Sequence, residues 1–189
     1  MEIEDLASSS DGAFVAGVFM STVDVPGCFA MAVYFSGCGI KCKGCQNAAI
    51  QDRKRGKFVS LADLTVQCND DLCEWVAFLG GEPVEQMAAV IHVSNRLSKK
   101  KVALYTGYLF EQIPPAILEL PNLVLVKSGP FVQRLLLPDG YWPCTSNQRV
   151  HVRAGSASAT AAGGPTSADG WSAFDPMSAD SASRITALL

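Results

Sequence analysis

Histidine is nearly absent from this 189-residue chain, which has only His92 and His151. Neither has a partner at motif spacing, so imidazole metal centres and Ser–His or Cys–His dyads are not expected. No apolar run approaches the roughly 20 residues needed to cross a bilayer, which argues against a membrane helix. The start, Met1-Glu2-Ile3-Glu4-Asp5, is acidic, the opposite of a secretory leader. Positive charge is also scarce. Fifteen Lys and Arg against 18 Asp and Glu give a net charge of −3 and a pI near 5.3. A sequence-independent grip on nucleic acid is therefore not expected. The short clusters Lys99-Lys100-Lys101 and Arg53-Lys54-Arg55 read as solvated element ends. Together these absences predict a cytoplasmic chain with reduced thiols. Clustered cysteines in that setting serve as metal ligands or catalysts more often than as disulfides.

What is present is a sizeable apolar fraction, 49% of residues with a mean hydropathy of +0.20, enough for one domain with a real core. Composition changes near residue 153. From Ala154 to Leu189 more than half the residues are Ala, Ser or Gly, which predicts a domain over 1–153 and a flexible low-complexity tail over 154–189. The aromatics of that tail, Trp171 and Phe174, have the option of docking on a partner.

Seven cysteines are present, and three of them fall within eight residues: Cys38-Gly-Ile-Lys-Cys42-Lys-Gly-Cys45. Thiolates suit zinc or iron–sulfur clusters. Three ligands, where a closed site needs four, leave one position open for chemistry. A zinc knuckle would need a second pair. Cys68 and Cys73, five apart on a predicted helix, point about 140° away from each other and chelate poorly. Cys28, Cys68, Cys73 and Cys144 read as small core hydrophobes.

Strand-like and helix-like segments alternate around this triplet. Residues 29–36, 75–79, 101–105 and 123–126 read as strands. Residues 59–73, with Ser60 as N-cap, 84–97, and 108–119 broken at Pro114-Pro115 read as helices. The alternation predicts βαβ units and a parallel sheet, whose sites form at the carboxyl ends of the strands. Gly37–Cys45, Gly80–Pro83, Thr106-Gly107 and Lys127–Gly129 follow successive strands, so they should meet in one pocket. Two glycines at a strand end let backbone approach a ligand, and Glu82 offers a carboxylate to a cation. A glycine turn before a helix explains the same residues locally. Thr106-Gly107 is either a turn or a ligand contact, and Lys127 either faces a carboxylate or caps its strand.

The spacing Cys-x3-Cys-x2-Cys resembles that of the radical S-adenosylmethionine (SAM) enzymes. The neighbouring strings narrow the resemblance: Thr22-Val-Asp24-Val-Pro26-Gly27, Cys42-Lys-Gly44-Cys45-Gln-Asn47, Gly80-Gly81-Glu82-Pro83, Tyr105-Thr106-Gly107-Tyr108, Lys127-Ser-Gly129-Pro130-Phe131 and Thr145-Ser-Asn147-Gln148-Arg149. Taken in order, they are similar to the activating proteins of anaerobic ribonucleotide reductase. Gly44, where many members carry an aromatic residue, and Cys28-Phe29, where an arginine is common, depart from the pattern.

That resemblance implies a short, incomplete β/α barrel of radical SAM type, a 4Fe-4S cluster on Cys38, Cys42 and Cys45, and SAM chelating the fourth iron. It also implies that Gly80, Gly81, Glu82 and Pro83 hold the SAM ammonium. Backbone of Gly44, Cys45 and Gln46 would lie near the adenine, with Thr106, Gly107 and Lys127 as further contacts. The implied reaction is one-electron cleavage of SAM to methionine and a 5′-deoxyadenosyl radical, which takes a hydrogen atom from a glycine of the reductase's catalytic subunit. No residue beyond the cluster ligands is implied as catalytic. The electron would come from a donor such as flavodoxin or ferredoxin. Other readings are activation of a different glycyl-radical enzyme, a small-molecule radical SAM reaction, and a zinc-stabilised interaction module.

Overall fold

The computed structural model describes residues 11–138, 144–153 and 170–174. Its centre is a single eight-stranded mixed sheet. Strands β1 (Gly12–Ser21), β2 (Ala30–Phe35), β3 (Lys57–Ser60), β4 (Trp75–Gly80), β5 (Lys101–Tyr105), β6 (Leu123–Ser128), β7 (Arg149–Arg153) and β8 (Trp171–Phe174) lie in the order β3-β1-β2-β4-β5-β6-β7-β8. The pairs β2–β4, β4–β5 and β5–β6 are parallel, and the other four are antiparallel. The expected alternation therefore occupies the middle of the sheet, while antiparallel strands extend it on both sides. The sheet does not close: β3 and β8 are its two edges.

Helices α1 (Leu61–Cys68), α2 (Met87–Arg96) and α3 (Pro115–Leu118) fill the crossovers. Ser60 caps α1 as expected, its hydroxyl accepting the Asp63 N–H at 3.1 Å. The helix stops at Cys68, short of residue 73, because Asp70 takes the chain into a turn by accepting the N–H groups of Leu72 and Cys73. Pro83 opens a 3₁₀ turn before α2. The segment expected over 108–119 is split by its prolines into a 3₁₀ turn at Phe110–Gln112 and the single turn of α3.

The period-2 alternation of each parallel strand separates two cores. Val33, Phe35, Val76, Phe78, Val102 and Leu104 pack against the helices. On the opposite face Ala32, Ala77 and Ala103 stand in register across three strands, under Val25, Trp75 and Leu125. Asn122 locks the layers, its buried amide nitrogen reaching the carbonyls of Ser94, Leu97 and Lys100 at 3.0 to 3.2 Å.

β8 corrects one expectation. Trp171–Phe174 do not belong to a featureless tail, nor do they stand free for a partner. They pair antiparallel with Arg149–Arg153 and bury Trp171 in the helix-side core and Phe174 in the opposite one. The rest of the predicted tail, 154–169 and 175–189, lies outside the described residues, as does the Met1–Asp5 segment. Among the described residues no helix is long and apolar enough to cross a membrane.

Candidate metal and cofactor site

The four parallel strands end on one rim, and a cavity of about 760 Å³ opens there. Cys38, Cys42, Cys45, Gln46, Gly80, Gly81, Glu82, Thr106, Gly107 and Lys127 all line it. Of the remaining expected site residues, Gly44 turns away against Gln133, and Pro83 is buried in its 3₁₀ turn.

The cysteine loop leaves β2 through Ser36 and Gly37. Its neck is closed by two hydrogen bonds, from Gly37 N–H to Ile50 and from Cys38 N–H to Gln51, at 2.9 and 3.0 Å. Inside the neck the chain reverses through positive φ at Lys41 (49°) and Gly44 (75°). Lys41 bears real strain there, since only glycine takes this region freely. Burial pushes the Cys38 thiol up, partly offset by the N–H groups of Lys41 and Ile40. The Asn47 N–H donates to Cys45 Sγ at 3.4 Å. Amide donors aimed at sulfur favour thiolate over thiol and tune iron–sulfur clusters.

Three thiols on one cavity wall, with amide donors, fit a polynuclear cluster. In such a cluster each thiolate takes its own iron.

The glycine pair following β4 is tied to the cysteine loop. Gly81 N–H donates to Phe35 and Glu82 N–H to Gly37, both at 2.8 Å. A Cβ on Gly81 would sit 2.2 Å from the Gly37 carbonyl oxygen, and Gly80 has φ +99. These glycines permit close approach of two chains, so the backbone they admit is the protein's own, at the wall of the cavity.

Glu82 is buried with a full set of protein donors: Val84 N–H at 3.0 Å, Thr106 Oγ1 at 2.7 Å and Gly107 N–H at 2.9 Å. Burial outweighs these bonds and pushes its carboxyl up to about 7. The carboxylate therefore staples the β4 and β5 loops while facing the cavity. Lys127 also lines the cavity, its Nζ 5.3 Å from the Tyr105 ring centroid, and burial lowers it to about 8 against the attraction of Cys144 and Asp24. Asp24 accepts from Tyr34 Oη at 3.2 Å and, through its carbonyl, from Tyr105 Oη.

Several site residues escaped the sequence reading. Asn47 Nδ2 donates to the Gly80 carbonyl at 3.1 Å, joining the cysteine loop to the glycine pair. Gln86, buried, bonds Phe14 in both directions and donates to Ser36 at 2.9 Å. Gln51 Nε2 is buried in the cavity wall without a protein partner, a donor left for a ligand. Only its place at the end of the cysteine motif hinted at Asn47, and nothing local marks Gln51 or Gln86.

The other cysteines divide. Cys68 and Cys73 are buried core residues as expected, and Cys28 is half-buried against the inner core. Cys144 is not a core residue: it lines the cavity with φ 112. Asn147 and Gln148 serve structure, donating to Pro130 at 2.7 Å and Gly129 at 3.1 Å. His151 stacks on Phe110 and meets Ser128 Oγ at 3.1 Å, and His92 is a half-buried residue of α2.

Comparison with known proteins agrees with this geometry. The anaerobic ribonucleoside-triphosphate reductase-activating protein of Enterobacteria phage T4 is 26% identical over 137 residues, covering 68% of this chain and 86% of the phage protein. The proteins of the same name from Salmonella typhi and Escherichia coli (strain K12) are 27% and 26% identical over 135 and 132 residues, each match covering 63% of this chain and 85% of the relative. A family model described as a 4Fe-4S single cluster domain matches residues 23–151, which include the whole cavity-forming core, and the chain belongs to that family.

Proposed function

We propose that this chain activates an anaerobic ribonucleotide reductase by generating a glycyl radical on its catalytic subunit. The observation that carries this reading is the cavity itself: three cysteines, the Gly-Gly-Glu turn, Thr106-Gly107 and Lys127 share one wall system at the carboxyl ends of four parallel strands. The names of the relatives support the choice of target. In this reading Cys38, Cys42 and Cys45 hold a 4Fe-4S cluster, and the cavity admits SAM on a fold of the short, incomplete radical SAM barrel type. The domain runs over 1–153 and takes in the β8 strand, Trp171–Phe174, and it works in the cytoplasm.

Bound there, the cluster and SAM supply a one-electron cleavage of a carbon–sulfur bond, and with it a carbon-centred oxidant for a glycine C–H. The chain's own residues orient and exclude water. Glu82, held by three donors, presents a carboxylate to the ammonium of the ligand, whose positive charge draws the carboxyl back to its ionised form. Lys127 places a cation in the cavity wall for an anionic group. Gln51 Nε2 offers a buried donor to a polar ligand. Gly44 holds the turn that aims Cys45 and Gln46. No side-chain general base enters the scheme.

The test is anaerobic reconstitution, incubation with the reductase subunit, SAM and a reductant, and electron paramagnetic resonance. A glycyl doublet that requires SAM supports the reading. A doublet only with a different glycyl-radical enzyme, or stoichiometric zinc without iron in anaerobically purified protein, overturns it.

A further inference from the structure

The chain is acidic overall, yet six of its 15 Lys and Arg fall between positions 41 and 57: Lys41, Lys43, Arg53, Lys54, Arg55 and Lys57, against the single anion Asp52. All six are exposed, and none lines the cavity. Arg53, Lys54 and Arg55 read as an element end in the sequence, but in the fold their segment is hydrogen-bonded to the base of the cysteine loop, which itself carries Lys41 and Lys43. Ile50 and Gln51, just before the basic turn, accept the Gly37 and Cys38 N–H groups, and the Arg53 carbonyl accepts Ser36 Oγ at 3.1 Å. Thus the backbone carrying Cys38 is hydrogen-bonded to the segment that carries the charge.

From this we infer that the basic turn is the docking surface for an acidic one-electron carrier protein. The inference rests on the reading above that the loop holds a redox cluster. The carrier gives up one electron and the cluster takes one; no atom or proton changes hands. Electron delivery needs a brief encounter close to the cluster, and such complexes use small, charge-steered interfaces. A route through the cavity would put the carrier where SAM and the partner's glycine must sit. The backbone bonds from Gln51 and Ile50 give the charged surface a short path to Cys38 that leaves the cavity clear. Nucleic acid fits the patch less well, since a single basic turn on a chain of net charge −3 makes no stripe along which a phosphate backbone runs.

The experiment compares Lys54→Glu/Arg55→Glu with Arg96→Glu/Lys99→Glu, which makes the same charge change at exposed positions on and after α2. Arg53 is spared because its guanidinium lies 5.4 Å from the Phe14 ring centroid, and Lys41 and Lys43 because they sit within the cysteine loop. Labelled oxidised flavodoxin is titrated with the full, reconstituted chain at about 50 and about 300 mM salt. Lys54→Glu/Arg55→Glu should weaken binding about tenfold or more at low salt and flatten the salt dependence, with the Arg96/Lys99 variant binding like wild type. Cluster reduction by reduced flavodoxin should slow in the first variant only, and reduction by dithionite should be equal in all three proteins. Unchanged flavodoxin binding, equal weakening in both variants, or a labelled single-stranded oligonucleotide bound through Lys54 and Arg55 in place of flavodoxin overturns the inference. A chain that binds flavodoxin through these residues yet activates no reductase would sink the functional reading and leave the docking surface standing.

Discussion

Asn47 Nδ2 donates to the Gly80 carbonyl at 3.1 Å, so the cysteine loop and the Gly80-Gly81 turn are fastened to each other across the cavity wall. A hydrogen bond of this kind contributes about 1 kcal/mol, beside the backbone bonds that close the neck of the loop. Asn47→Leu should therefore weaken SAM binding roughly three- to tenfold, with iron content near that of wild type. Equilibrium dialysis with labelled SAM, beside an iron assay, checks both halves.

The cysteines should respond in opposite ways. Cys42→Ala leaves two thiolates for the cluster and should lose most iron and sulfide on anaerobic reconstitution. Cys144→Gly removes a Cβ from φ 112 and should raise stability by about 1 kcal/mol with the cluster intact. Metal analysis and chemical denaturation separate the two.

Glycine positions test the packing of the wall. Gly81→Ala would press a methyl to 2.2 Å from the Gly37 oxygen, so the chains must part, at a cost of about 3 kcal/mol or more. Gly170, with φ +77 and nothing within 4 Å of a built Cβ, is the contrast. Gly170→Ala should cost only the conformational strain, about 1–2 kcal/mol. Thermal unfolding of the two variants should differ visibly.

Stability should fall on mild acidification through His151. Burial lowers its imidazole from 6.5 to about 4, so the fold favours the neutral ring stacked on Phe110. The unfolded chain takes up the proton first. The contribution is thus complete above pH 6.5 and is lost as pH falls towards 4. His151→Gln should flatten this part of the pH–stability curve, measured by denaturant titration at several pH values against wild type.

Much of the centre was legible because β4, β5 and β6 are short apolar runs bounded by turn residues, and the strand-end clusters fall where parallel strands must place them. β1 was not recognised. Gly17 and a register shift beside it break the alternation, and Phe19 and Met20 remain exposed, so no clean period-2 face exists to read. β8 was hidden by composition: Ser172 and Ala173 look like the rest of an Ala/Ser/Gly stretch. The only signal was Trp171 and Phe174, whose burial depends on β7. Gln86 was invisible for a different reason: its three bonds join β1 to the end of β2, a relation that no local pattern encodes.

Trp171 is buried in the helix-side core. Trp171→Ala empties a site where the ring meets Phe110 at 5.5 Å and the Arg153 guanidinium at 4.8 Å. A loss of about 3–5 kcal/mol is expected. A chain ended at Arg153 should lose at least as much and, with the β7 edge bare, scatter light on warming.

The sheet order has a consequence for how the molecule opens in time. Ala32, Ala77 and Ala103 lie at the centre, with a neighbouring strand on each side, and β3 and β8 lie at the rims. Amide protons at the centre should exchange with solvent most slowly, through global unfolding, while the rims exchange by fraying. Because β2, β4 and β5 launch the cysteine loop, the glycine pair and Thr106, the residues around the cavity are rooted in the slowest-opening part of the chain. Either rim can come loose and re-form without disturbing them.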